Sequence, residues 1–174
     1  MDVSRLTRGE QIAGVSGLAL LLIMFIFNWF TYGEGPISVG GNAWDTMEFI
    51  RFVILLAALA GLAVAVLSAT QSTYQGPVAV SAVAAGLGIL AVVLILFRLI
   101  SPPDFGASDF GVDLDVGRSI GVFLGLIAAG GVAYGGWLAM QEEGTSFSNA
   151  ADGGTAPPPP PPPAAPPAGG PPAA

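Results

Sequence analysis

Hydrophobic residues along the chain are grouped into four long blocks, and polar or glycine-rich segments separate them. The blocks cover residues 11–30, 48–69, 77–97 and 119–140. A helix rises about 1.5 Å per residue, so roughly 20 apolar residues cross a hydrocarbon core of about 30 Å. The pattern therefore predicts four membrane-spanning helices, called spans 1 to 4 in chain order.

The spacing of the blocks predicts an all-α, integral membrane four-helix bundle with up-down-up-down connections. In lipid, helices satisfy their own backbone polar groups. Residues 1–10 form an N-terminal basic lead, and residues 11–140 form the transmembrane domain. Residues 141–174 are acidic and then proline-rich, with seven consecutive prolines at 157–163. This composition predicts a disordered tail with polyproline II character.

Two local patterns predict structure in and beside the loops. Asp45 is followed three residues later by Glu48, which is the spacing of a capping box and predicts the start of span 2. Between spans 3 and 4, apolar and polar residues alternate over 110–116, which predicts a short strand. Residues 36–39 of the first loop are the predicted pairing partner.

The composition supports lipid as the medium around the helices and excludes several kinds of reactive or metal-binding site. Only 10% of residues are charged, against about 25% in soluble domains. The chain lacks cysteine, histidine and lysine, which excludes disulfides, thiolate metal sites, a histidine base and a Schiff-base lysine. The net charge of −7 disfavours nucleic acid as a partner. The sequence predicts no catalytic, cofactor-binding or metal-binding residues, and an enzyme is the least supported class.

The orientation is argued from arginines. Arg5 and Arg8 precede span 1, which is too long for a signal-peptide core and predicts a retained span. The positive-inside rule then predicts cytoplasmic termini in the plasma membrane. Arg51, Arg98 and Arg118 fall on the opposite side, so a plain count of arginines favours the reverse orientation, which stays open.

Tryptophans fall near the predicted span boundaries. Trp29 and Trp44 mark one membrane interface, and Trp137 marks the other. Amphipathic aromatic rings prefer the headgroup level of a bilayer. The three tryptophans are therefore predicted to be interface anchors.

Small residues recur on span 4 at a spacing of four: Gly117, Gly121, Gly125 and Ala129, followed by Gly131 and Gly135. Small faces allow helix backbones to approach closely within lipid. The stripe predicts either packing inside the four-helix bundle or a self-association face that makes a homo-oligomer. The sequence leaves both interpretations open.

Charged residues gather near one membrane face: Asp45, Glu48, Arg51, Arg98 and Arg118. Glu48 and Arg51 are one helical turn apart and are expected to pair. The cluster predicts an interfacial belt that orders the loops. The alternative is an ion-entry vestibule or a lipid-binding rim.

Polar residues that would serve transport are scarce in the spans. Ser16, Ser68 and Ser81 are assigned to positions near span ends, which argues against a proton relay. In the tail, the proline run is a preformed extended ligand for an aromatic groove or else a solvated tether.

A family resemblance rests on three segments, RLTRGEQIAGVSGLALLLIMFIFNWF, AWDTMEFIRFVILLAALAGLAVAVLSATQ and GRSIGVFLGLIAAGGVAYGGWLAMQEEG, together with LILFRLISPP. They cover most of residues 5–144, and with them the chain resembles uncharacterised four-span membrane proteins of actinobacteria. The resemblance implies a plasma-membrane location and no particular activity.

The function expected from these patterns is that of a small multi-pass structural or interaction protein. The bilayer itself, a second copy of the chain and a partner of the proline-rich tail are its expected contacts. A small channel or transporter subunit is the alternative. Charges at mid-membrane or a water-filled axial cavity would favour that alternative.

Overall fold

The computed structural model describes residues 6–33, 38–70, 80–103 and 116–144. In these ranges the long helices are α1 (Arg8–Ile26), α3 (Ile50–Ala69), α4 (Val80–Ile100) and α5 (Ile120–Glu142). A single turn, α2 (Ala43–Thr46), precedes α3, and the strands are β1 (Asn28–Tyr32), β2 (Val39–Asn42) and β3 (Val116–Arg118). Each of the four long helices is long and apolar enough to cross a membrane, which confirms that part of the prediction.

The long helices pack side by side, with α1 and α4 each in contact with both α3 and α5. Glycines set the separation between them. Gly9 lies against Ala139 while Gly135 lies against Ala13, so contacts run in opposite order along α1 and α5. Because these glycines have no Cβ, the two backbones approach directly.

The strands form an antiparallel sheet of order β2-β1-β3 at the end of the bundle where α1 stops and α5 starts. Phe30 of β1 is paired with Gly41 on one side and with Arg118 on the other. The Ser119 N–H donates to the Trp29 carbonyl at 2.9 Å, which ties the sheet to the start of α5. A mostly helical chain therefore carries a small sheet that an all-α fold does not include.

The predicted end of span 1 at Phe30 was wrong, because α1 ends at Ile26 and β1 follows almost at once. Trp29 and Phe30 are fully buried. The Trp29 indole donates to the Ile23 carbonyl at 3.1 Å, near the end of α1. Hydrophobicity alone did not separate helix from strand here, because partners distant in sequence satisfy the backbone of β1.

The predicted loop strand is described only at its end. Val116 opens β3 and Val39 opens β2, whereas residues 34–37 and 104–115 lie outside the described residues. The strands β2 and β3 do not pair with each other, because β1 lies between them. Val39 and Val116 therefore do not pair directly as predicted, although both loops contribute to one sheet. The other residues of the predicted pairing, 36–37 and 110–115, lie outside the described residues.

The predicted cap of span 2 was also wrong. Asn42 caps α2 by accepting from the Asp45 N–H at 3.0 Å, and α3 starts later, at Ile50. The capping box lies instead on α1, where Thr7 and Glu10 satisfy each other's backbone N–H groups. The Thr-x-x-Glu spacing of residues 7–10 was the signal that could have found it.

The remaining boundaries shift by a few residues. α4 ends at Ile100, three residues beyond the predicted end, and α5 continues to Glu142, into the predicted tail. The start of span 3 at Pro77 and the tail after Gly144 lie outside the described residues. The predicted disorder of the tail therefore stays a prediction.

Candidate functional site

The small residues of span 4 lie against other parts of the same chain. A Cβ on Gly121 or Gly125 would overlap the indole of Trp29, and one on Gly135 would overlap the backbone of Ala13. Gly131 faces the Ser16 side chain, Gly117 lies against Thr31 in the sheet, and Ala129 is fully buried. The five other positions are used for packing inside the bundle, whereas Gly117 belongs to β3 and its predicted place on span 4 was wrong.

Two glycines inside the helices are different, because a Cβ on Gly86 or Gly130 would meet nothing within 4 Å. On α5, Gly130 lies between Ile127 and Tyr134, which are 72% and 53% exposed. At spacings of three and four, these residues share one outward face of the helix. The outward face of α5 therefore includes these residues, with Phe123 and Trp137 on the same side, and it excludes Gly121 and Gly125.

The polar content of the bundle interior is small. Within the four long helices, every charged residue lies in or next to a terminal turn: Arg8, Glu10, Arg51, Arg98 and Glu142. Ser16 is near the middle of α1 and faces Gly131, so its assignment to a span end was wrong. The boundary error for span 1 caused this mistake.

Carboxylates connect the helices at the end of the bundle that carries the chain termini. Glu10 accepts from the Thr7 N–H at 2.8 Å and from the Ser68 hydroxyl of α3 at 2.5 Å. Glu143, just beyond α5, accepts from the Ser81 hydroxyl of α4 at 2.7 Å. The buried Ser81 hydroxyl and the half-buried Ser68 hydroxyl therefore each meet an acceptor.

A further bond joins α5 to α1, from the Gly9 N–H to the Glu142 carboxylate at 3.3 Å. With the Glu10–Ser68 and Glu143–Ser81 pairs, it links all four long helices at one end. Sequence reasoning missed this set of contacts. The serines and glutamates are 58 and 62 residues apart, and no local pattern reports that pairing.

At the opposite end, Arg51 is held between aromatic rings. Its guanidinium carbon lies 5.0 Å from the Trp44 ring centroid and 5.1 Å from that of Phe52. Its Nη1 donates to the Trp44 carbonyl at 3.0 Å. Phe25 packs on Trp44 at 5.5 Å and Phe49 packs on Phe52 at 6.3 Å. We call these five residues the Arg51 aromatic cluster.

The other arginines of this end form no ion pair with a described carboxylate. Arg118 Nε donates to the Leu99 carbonyl at 2.8 Å. Arg98 Nε is buried and, among the described residues, has no hydrogen-bond partner. Asp45 and Glu48 are exposed, and the expected Glu48–Arg51 pair is not formed within the described residues. That prediction was wrong because α2 presents its carbonyl and ring to Arg51.

Tyr32, at the end of β1, interacts electrostatically with the positive charge of Arg98. Burial raises the pKa of Tyr32 to about 12, and the positive charge of Arg98 opposes this rise. Burial disfavours the phenolate because the charged form loses hydration. Tyr32 therefore stays a neutral phenol through the physiological range.

The three predicted anchors have different environments. Trp137 is 44% exposed and packs beside Tyr134 at 6.2 Å between ring centroids. Trp44 is half-buried in the Arg51 aromatic cluster. Trp29 is fully buried between α1 and α5, so its assignment as an interface anchor was wrong.

Comparison of the chain with protein-family models, with curated proteins and with solved structures finds no match. Within the described ranges, no three acidic, histidine or cysteine side chains are grouped to hold a metal ion. The packing of the helices and the chemistry at the two ends of the bundle are therefore the features that bear on function.

Proposed function

We propose that the chain is a structural or interaction protein of the plasma membrane rather than a conduit. In this proposal the four helices cross the bilayer up-down-up-down. The order of contacts along α1 and α5, and the length of each helix, support this arrangement. The absence of cysteine, histidine and lysine supports a protein without enzymatic chemistry, and the net charge of −7 supports one without a nucleic-acid partner.

The close approach of backbones inside the bundle is the observation that carries the proposal. A Cβ on Gly17 would lie 2.7 Å from the Ala58 carbonyl oxygen, and one on Gly61 would lie 2.7 Å from that of Ala13. At these two positions α1 and α3 are in direct backbone contact and leave no room for water or ions between them. Because the charged side chains of the long helices lie only at the terminal turns, they cannot relay protons or ions across the middle of the membrane. Both features argue against a channel or transporter subunit that conducts within one protomer.

The proposal includes self-association through span 4, but through a different surface from the stripe that contains Gly121 and Gly125. Trp29 occupies the space beside Gly121 and Gly125, so those residues are not available to a second copy. The outward face of α5 carries Gly130 between Ile127 and Tyr134. A second helix that packs there would meet backbone at Gly130, as small-residue interfaces in membranes do.

Crosslinking and ion flux, measured on the same proteoliposomes, test the proposal. We expect crosslinked species larger than one protomer and no flux above that of empty vesicles. Gly130→Leu should reduce the larger species, whereas Gly86→Leu, at the other open glycine, should leave them unchanged. Ion flux would favour the channel alternative, and a crosslinking profile of single protomers would contradict self-association.

The termini are proposed to be cytoplasmic, because Arg5 precedes the first helix and Arg8 begins it. Reporters fused after Ala174 and inserted between Ser72 and Thr73 should both read as cytoplasmic, since α3 and α4 then turn on that side. An extracellular signal from the reporter at Ala174 would establish the reverse orientation. A split result would contradict the four-span topology itself.

Membership of the four-span actinobacterial group and a partner for the proline-rich tail are proposals that rest on sequence alone. The run at 157–163 has the composition of an extended ligand for an aromatic groove. Residues 145–174 lie outside the described part of the chain.

A further inference from the structure

The two ends of the bundle differ in charge chemistry. At the end with the chain termini, Glu10 and Glu143 are bonded to serine hydroxyls. At the end with the sheet, Arg51 and Arg118 donate to backbone carbonyls, and no described carboxylate pairs with either. The sheet end therefore presents guanidinium charge that described protein groups do not neutralise.

Arg51 has unused hydrogen-bonding capacity. A guanidinium carries five N–H donors. One nitrogen, Nη1, donates to the Trp44 carbonyl, and Nε is buried among the described residues, so a ligand would be met by the remaining N–H groups of Nη1 and Nη2. The rings of Trp44 and Phe52 flank the same guanidinium. Ring faces stabilise the cation without neutralising its charge.

The surroundings of Arg51 place it at a level where lipid headgroups meet acyl chains. Phe25, Phe49 and Phe52 are 46%, 78% and 44% exposed, and Arg51 is the second residue of α3. Amphipathic tryptophan rings such as Trp44 prefer the interfacial region of a bilayer, and arginines near helix ends extend toward it. The cluster therefore offers apolar surface and positive charge together.

We propose that the Arg51 aromatic cluster is a binding site for an anionic phospholipid. The guanidinium binds the lipid phosphate, and the exposed phenylalanine rings contact the glycerol and the upper acyl chains. An anionic lipid is preferred to a zwitterionic one, because its phosphate has no cationic group of its own to compete with Arg51. The inference rests on the proposed membrane location and adds a specific ligand class to it.

The test uses the full chain in nanodiscs that contain phosphatidylglycerol and phosphatidylcholine in equal amounts. After extraction, native mass spectrometry measures the ratio of the two retained lipids. We expect Arg51→Gln to lower the preference for phosphatidylglycerol by about tenfold, since charge-assisted bonds to phosphate are among the stronger ones. Arg118→Gln removes an equal charge from the same end and should change the ratio by less than about twofold.

Two further variants keep the test decisive if Arg51→Gln loses its helical content. Arg51→Lys keeps the charge but not the planar fork, and Phe52→Leu keeps the bulk but not the ring. Both should weaken the preference to a smaller extent, by about threefold. An unchanged ratio in the folded variants, or an equal loss in Arg118→Gln, would overturn the site.

The source of the phosphate is tested in the same experiment. Inorganic phosphate added in excess should not displace the retained lipid, since it lacks the acyl chains that contact the rings. Displacement would reassign the site to a free anion. Failure of the unsubstituted chain to enter nanodiscs would count against the proposed membrane function, whereas entry without lipid preference would count only against this site.

Discussion

Gly135→Ala is expected to destabilise the bundle by about 1–3 kcal/mol, and a larger side chain at this position is expected to prevent folding. A single methyl group at Gly135 would overlap the backbone N of Ala13, on the neighbouring helix α1. Backbone cannot rotate away as a flexible side chain does, so α1 and α5 must separate. The measurement is the free energy of unfolding in mixed micelles, compared with that of the unsubstituted chain.

The matched control is the same substitution five residues earlier on the same helix. Gly130 has nothing within 4 Å of an added Cβ, so Gly130→Ala should not disturb packing. Alanine has the higher helix propensity, and the substitution should be neutral or stabilising by up to about 1 kcal/mol. Equal destabilisation by both variants would show that the α1–α5 contact is not set by Gly135.

Trp29→Ala is expected to cost about 3–5 kcal/mol, the range for removing a large buried aromatic side chain. The Trp29 indole is fully buried and fills the space left by Gly121 and Gly125. Its removal leaves a cavity where α1, β1 and α5 meet. It also removes the donor to the Ile23 carbonyl near the end of α1. Loss of helical circular dichroism with denaturant gives the free-energy change.

Trp137→Ala is the matched control for Trp29→Ala, because the same atoms are removed from a side chain that is 44% exposed. Its effect in micelles should be less than half that of Trp29→Ala. Trp29→Phe adds a second comparison, since it keeps a ring but loses the indole N–H, and should fall between the two. A larger loss of stability from Trp137→Ala than from Trp29→Ala would contradict the packing role of Trp29.

Features that depend on neighbouring residues could be predicted from the sequence, whereas features that depend on residues distant in the chain could not. Four apolar helices follow from block length, and the capping box of Thr7 and Glu10 was readable from four consecutive residues. The strand β1 was not readable, because NWFTY follows an apolar block without a break. Its backbone groups are paired with residues about 10 and 90 positions away.

In the candidate sites, too, some features could be predicted from the local sequence and others could not. The glycine spacing on span 4 indicated close packing, which Gly121 and Gly125 show against the Trp29 indole, whereas the open Gly130 is not part of that spacing. Arginines at the sheet end were evident from sequence, whereas the choice of Trp44 over Glu48 as the contact of Arg51 came from the turn of α2. Helical periodicity reports which residues share a face and does not report what that face meets.

Amino-acid order alone determined the number of apolar helices, their approximate ends and the chemistry that this chain lacks, because these depend on side-chain type and local spacing. Tertiary structure decided which glycines touch backbone, why Trp29 is buried, and how serines and glutamates join the helices at one end. Those outcomes depend on the relative position of elements distant in the chain. That position is set by packing over the whole bundle, which no short window of residues contains.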